Sequence, residues 1–234
     1  MLKHPDRGKW RMWLDRINGE MAASGVDRHV FDRWWSVIGS NAAIDVNNRF
    51  VGLIWSSYFE RQTLTVRRQL DCDKQAISLV GLMREVAAYA TQLHRADFLN
   101  AYTSPAYPDA WQEAQALFTS FADPAAADVV SGNAVQGHID GLQSAFVGLQ
   151  DLADKWLAHS DRSRQWPGPS FDQLSRCLDL LYATWRRYHA LAGLGPIEAD
   201  FGWLAGTGWE VVLDVPWRAA VPKDEPPCPD LSGT

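Results

Sequence analysis

Cysteine is scarce in this sequence. Cys72, Cys177 and Cys228 are far apart and odd in number, and no two have zinc-ligand or redox spacing. A disulfide framework is not expected, and a reducing compartment is. Long hydrophobic runs are missing too. No stretch approaches the roughly 18 apolar residues of a membrane helix, and the opening MLKHPDRGKW lacks the apolar centre of a secretory signal. The expectation is a cytoplasmic protein with no membrane partner.

Positive charge is also in short supply. Against 28 Asp and Glu stand 22 Lys and Arg, a formal net charge of −6, so no global field draws nucleic acid to the surface. The local patch Lys3, Arg7, Lys9, Arg11 and Arg16, diluted by Asp6 and Asp15, reads as a solvated helix face. The short catalytic signatures are absent as well. Gly202, Gly206 and Gly208 do not sit between a strand and a helix, and there is no H-E-x-x-H and no G-x-S-x-G. Six scattered histidines, at 4, 29, 94, 138, 159 and 189, have no spacing that favours a metal, so neither metal nor cofactor is expected.

What is present is helical periodicity. The 12 Trp in a chain that is 47% hydrophobic predict a bulky core with polar groups threaded through it, because a buried indole N–H needs a partner. Trp10, Trp13, Leu14, Ile17 and Met21 recur at helical spacing. Gly25 is expected to end that helix, and a second from about Asp27 to Ile38 would complete an αα-hairpin. A longer helix spans roughly Ile44 to Leu70, on a stripe of Val51, Ile54, Tyr58, Thr65 and Arg68 that starts apolar and turns basic. Either its last turns leave the core or its arginines are buried and paired. Ser78 is placed to cap the next helix, and shorter helices follow near 96–102 and 110–121.

Two patterns are strongest. Val135, His138, Leu142, Ala145, Leu149, Leu152, Trp156 and His159 alternate steps of three and four, one stripe of a long helix ending at His159. Phe171, Leu174, Leu178, Leu181, Trp185, Tyr188 and Ala192 do the same behind a Ser170/Gln173 capping box, with Gly193 and Gly195–Pro196 closing the helix. Beyond Pro196, Trp209 to Trp217 reads as an extended strap over one end of the bundle, and the Pro-rich 218–234 as a flexible tail. The fold class is therefore all-α, a multi-helix up-down bundle in one domain, residues 1–217, with a short C-terminal strap.

Two constellations carry chemistry. In Lys155-Trp-Leu-Ala-His159-Ser-Asp161, Lys155 lies four residues before His159 on one helix face, and Asp161 follows in the loop. A near-neutral imidazole between a cation and a carboxylate suits a general base for phosphodiester cleavage. A histidine in the last helical turn also caps carbonyls and complements the macrodipole without any catalysis. In Arg67-Arg68-Gln-Leu-Asp71, guanidinium forks suit phosphate. The alternative is an internal Arg68–Asp71 pair, three residues apart on one face, whose loss in Arg68→Ala would lower stability by about a kilocalorie.

The segments YFERQTLTVRRQLDCDKQAISL (58–79) and KWLAHSD (155–161), with the closing Val215-Pro-Trp217, resemble the AbiU-type branch of the HEPN superfamily, linked to abortive infection. The resemblance implies a HEPN-like, all-helical homodimer of phage-defence or toxin–antitoxin type, with a nucleotidyltransferase or antitoxin as a companion. It further implies a metal-independent endoribonuclease in which His159 activates a 2′-OH, aided by Lys155 and Asp161, with Arg67 or Arg68 at the RNA phosphate and Asp71 and Asp154 as structural polar partners. The family places an Arg before its His with four to six residues between them, and this chain has no arginine between Arg95 and Arg162. The position falls on Leu152, Ala153 or Asp154. A catalytically inactive scaffold that binds RNA, nucleotide or a partner protein fits the same residues.

Overall fold

A computed structural model describes residues 4–41, 49–100, 102, 110–123, 126–152 and 170–194, with 209 and 211. Among them the chain folds as a multi-helix bundle with one two-stranded sheet. Helix α1 spans Arg7–Ser40 and is capped by Asp6, whose carboxylate accepts the Lys9 N–H at 2.9 Å. It is one helix and not the expected hairpin, because Gly25 does not interrupt it. A mid-helix glycine costs about 1 kcal/mol relative to alanine. Here it is buried and lines one cleft with Tyr182 and Ala183 of the last helix. Trp10, Leu14, Ile17 and Met21 bury one half of α1, and Phe31, Trp34 and Ile38 the other.

Helix α2 covers Arg49–Gln69. Its buried stripe holds the expected Val51 and Tyr58, but beyond Tyr58 it lies one residue away from the expected one: Phe59, Gln62, Thr63, Val66 and Gln69 face inward in place of Thr65 and Arg68. The last two turns stay in the core, and the arginines remain outside it. Phe31 stacks on Tyr58 with ring centroids 3.9 Å apart, joining α1 to α2. Helix α3, Leu79–Ala88, starts at Ser78 as expected. That hydroxyl accepts the Gly81 N–H at 2.9 Å and donates to the Asp71 carbonyl at 2.6 Å, so one side chain both caps the helix and closes the preceding loop.

The short helices α4 (Arg95–Asn100) and α5 (Ala110–Thr119) lead into strands β1 (Ala122–Asp123) and β2 (Ala126–Val130). This antiparallel pair, with an irregular register between Ala122 and Asp123, corrects the purely helical expectation. Two residues on one side and an alanine-rich run on the other give no period-two signal to read. The sheet is fixed by its surroundings: His94 bridges Val129, and the Val130 N–H donates to the Leu93 carbonyl at 3.1 Å.

Helix α6, Gly132–Leu152, buries Val135, Ile139, Leu142, Phe146 and Leu149. Helix α7, Phe171–His189, buries Leu174, Leu178, Leu181, Trp185 and Tyr188, and Ser170 Oγ accepts the Gln173 N–H at 3.2 Å. The Gln173 amide does not reach back to the cap; it lies where a Cβ on Gly148 of α6 would come within 2.9 Å of its nitrogen. Past His189 the helix widens into a π-type turn over Ala190–Leu194, which takes in Gly193; Gly195–Pro196, the rest of the expected close, lies outside the described residues. Helix α2 packs against α1, α6 and α7, and α6 against α3 and α7. Of the expected strap only Trp209 and Val211 are described, and the Trp209 ring stands 6.4 Å from His29, edge-on, against α1. No helix among the described residues is long and apolar enough to cross a membrane.

Candidate functional site

The seam between α1, α2 and α7 holds buried polar groups that bond to one another. Gln62 and Ser24 are buried, and Gln62 accepts the Ser24 hydroxyl at 2.5 Å and donates to the Ser24 carbonyl at 3.0 Å. Tyr182 of α7 donates its hydroxyl to Ser24 Oγ at 2.8 Å. Nearby, Arg28 reaches Asp179 at 2.6 Å and the Ser175 hydroxyl at 2.9 Å. Asp27 Oδ2 lies 2.5 Å from Arg61 Nε, a charge contact whose N–H is not aligned for a hydrogen bond. Burial pushes the Asp27 carboxyl above the usual carboxylate range, and Arg61 offsets part of that. Sequence reasoning missed this network because its hydrogen-bonded members are 38 to 158 residues apart. Apart from the Asp27–Arg61 contact, each pairs a donor with an acceptor across helices, so the network fixes helix register.

Of the residues expected to form a site, Asp154, Lys155, His159 and Asp161 fall within 153–169, outside the described residues. Arg67 and Arg68 are described and exposed, and they line two different clefts. Arg68 faces a cleft of about 330 Å³ between α1 and α2, with Glu20, Glu60 and Arg61. Arg67 faces a more enclosed cleft of about 270 Å³ between the end of α2 and α6. Its walls are the 71–73 loop and Gln143, with Val66, Leu70 and Leu149 as the apolar part. The Gln143 amide contacts Cys72 Sγ at 3.4 Å, tying α6 to the loop.

The Arg68–Asp71 pair is not formed among the described residues. Asp71 turns its carboxylate onto the Asp73 N–H at 2.9 Å, and Asp73 accepts the Gln75 N–H at 2.8 Å. These successive Asx turns order the loop locally. The stability argument for Arg68 therefore changes. Arg68→Ala should alter unfolding free energy by no more than about 0.5 kcal/mol in urea titrations; a loss above about 1 kcal/mol would restore the internal pair.

The histidine of α6, His138, is engaged structurally. His138 Nδ1 lies 3.1 Å from the Tyr188 hydroxyl, and Phe121 meets both rings edge-on. Burial, with Arg187 nearby as a lesser cause, lowers the His138 pKa below its ordinary 6.5. Above pH 6.5 the ring is neutral folded and unfolded, and its contribution is fully present. As pH falls below 6.5 the unfolded chain takes up a proton first, so stability is lost down to the folded pKa. Melting temperatures measured between pH 7.5 and 5.5 should fall less steeply in His138→Gln than in the parent. Equal slopes would remove His138 from the pH response.

The Arg67 cleft thus combines one guanidinium, two carboxylates and an amide over an aliphatic floor, a set suited to binding a small polar ring and not to coordinating a metal. No group of three or more His, Cys, Asp or Glu that could hold a metal ion occurs among the described residues. In comparisons with protein-family models, curated proteins and solved structures, the chain matches none.

Proposed function

We propose that this chain is a HEPN-like protein of phage-defence or toxin–antitoxin type that works on RNA as a metal-independent endoribonuclease, with His159 as general base. The observation carrying the reading is the Arg67 cleft between α2 and α6, since α6 is the helix whose sequence runs on toward Lys155-Trp-Leu-Ala-His159. The predominantly helical bundle is compatible with the same class. Lys155 and Asp161 are the groups proposed to tune and orient His159, and Arg67 to position the RNA. A homodimer, restrained by an antitoxin or nucleotidyltransferase companion, belongs to the same proposal.

A second reading is favoured by one specific feature. Arg67 shares its cleft with Asp71 and Asp73, a poor setting for a bare phosphate, which suits a non-catalytic scaffold that holds RNA or a partner. The deciding experiment incubates purified protein and His159→Ala with total RNA in EDTA, and follows cleavage on gels and retention on filters. Cleavage by the parent alone supports the ribonuclease. Equal cleavage by both removes His159 from the mechanism, and retention without cleavage leaves the scaffold.

A further inference from the structure

We infer that the outward face of α2 is a self-complementary surface through which two copies of this chain pair. The inference goes beyond the reading above: it is carried by α2 itself and needs neither RNA nor His159. On the side of α2 turned away from its buried stripe, Phe50, Leu53, Ser57, Glu60, Leu64 and Arg68 recur in steps of three and four, so they form one row. Phe50 and Leu53 are 50% and 61% exposed, too much apolar surface for a face that meets only water. The other four line the cleft between α1 and α2, so they share one surface.

Charge names the occupant. Arg61, beside the row, is held by Asp27, whereas Glu60 and Arg68 have no hydrogen-bond or ion-pair partner among the described residues. Their own helix supplies none: Ser56, Ser57, Thr63 and Leu64 stand three and four residues from Glu60, and Leu64 and Thr65 stand a turn before Arg68. Glu60 and Arg68 flank Leu64 at equal distances, about 6 Å along the axis on either side. A row that reads acid, leucine, base is its own complement when reversed. In an antiparallel two-fold arrangement Leu64 meets the partner's Leu64 at the symmetry axis, and each Glu60 arrives opposite the partner's Arg68. A parallel contact would set like charges together. Nucleic acid would meet Glu20 and Glu60 on this surface, and a lipid surface would have to cover charges of both signs. A single helix face about 30 Å long is a small interface, so the association is expected to be reversible and in the micromolar range.

The test is sedimentation equilibrium of the full chain across a wide concentration range, beside Glu60→Lys, Arg68→Glu and the double Glu60→Lys/Arg68→Glu. Both positions are exposed, so every variant should melt like the parent when dilute. Each single substitution sets like charges together at both contacts and should raise the dissociation constant roughly tenfold or more. The double substitution reverses each pair and should restore the parent's value. An equimolar mixture of the two single variants should form a heterodimer as tight as the parent's dimer, because one copy is then basic at both positions and the other acidic. Added salt should weaken the parent's dimer. A chain that stays monomeric throughout, a dimer indifferent to either single substitution, or single variants that fail to pair when mixed overturns the interface. Pairing on this face without RNA cleavage leaves the inference standing and removes the ribonuclease; His159-dependent cleavage by a chain that stays monomeric does the reverse.

Discussion

Trp185→Ala is expected to cost about 3–5 kcal/mol of stability. The indole is 2% exposed in the middle of α7, meets Tyr182 edge-on at 6.3 Å, and donates its N–H to Asn18 Oδ1 of α1 at 2.8 Å. Alanine would remove the largest side chain of this seam and leave the Asn18 carbonyl without its donor. Since domains of this kind are stable by only about 5–15 kcal/mol, that loss is a large fraction of the whole. Trp185→Phe keeps most of the volume and loses the hydrogen bond, so it should fall between parent and alanine. Urea titration of all three checks the order; an alanine variant within about 1 kcal/mol of the parent would mean that α7 does not pack on α1 as described.

Gln69→Leu should lower stability by about 1–3 kcal/mol, the cost of leaving a buried N–H without a partner. Gln69 is fully buried at the end of α2. Its Oε1 accepts the Leu79 N–H, the first amide of α3, at 3.1 Å, and its Nε2 donates to Glu20 of α1 at 2.9 Å. One amide thus holds three helices, and leucine matches its bulk without matching either bond. Gln69→Glu separates the two bonds. It retains an acceptor for Leu79 but sets a carboxylate against Glu20, so its loss of stability should be larger at pH 8 than at pH 5. A leucine variant as stable as the parent at both pH values would show that the amide is dispensable there.

These two residues also mark where the sequence is readable and where it is not. Trp185 stands out because α7 repeats apolar residues in strict threes and fours, and α6 is legible for the same reason. Gln69 does not, because a stripe containing Gln62, Thr63 and Gln69 looks like a solvent face until its partners are known. That is why spacing alone puts Thr65 and Arg68 on the inward stripe of α2 where Val66 and Gln69 stand. Gly25 misleads in the opposite direction, as an apparent breaker that lies buried within an unbroken α1. For the site, the local loop chemistry of Asp71 and Asp73 lies within reach of sequence reasoning, but Gln143, which completes the cleft, comes from a helix 71 residues further on. Spacing along one helix cannot reveal a wall supplied by another.

The unbroken α1, about 50 Å long at 1.5 Å per residue, has a consequence for synthesis. It is made before α7, yet its inner face is matched by Asp179, Tyr182 and Trp185 of that helix. At about 5–20 residues per second, a ribosome needs on the order of ten seconds to deliver those partners. During that interval Phe31, whose ring lies 5.6 Å from Phe171, remains uncovered by α7, and the nascent helix presents transiently exposed apolar surface of the kind chaperones exist to shield.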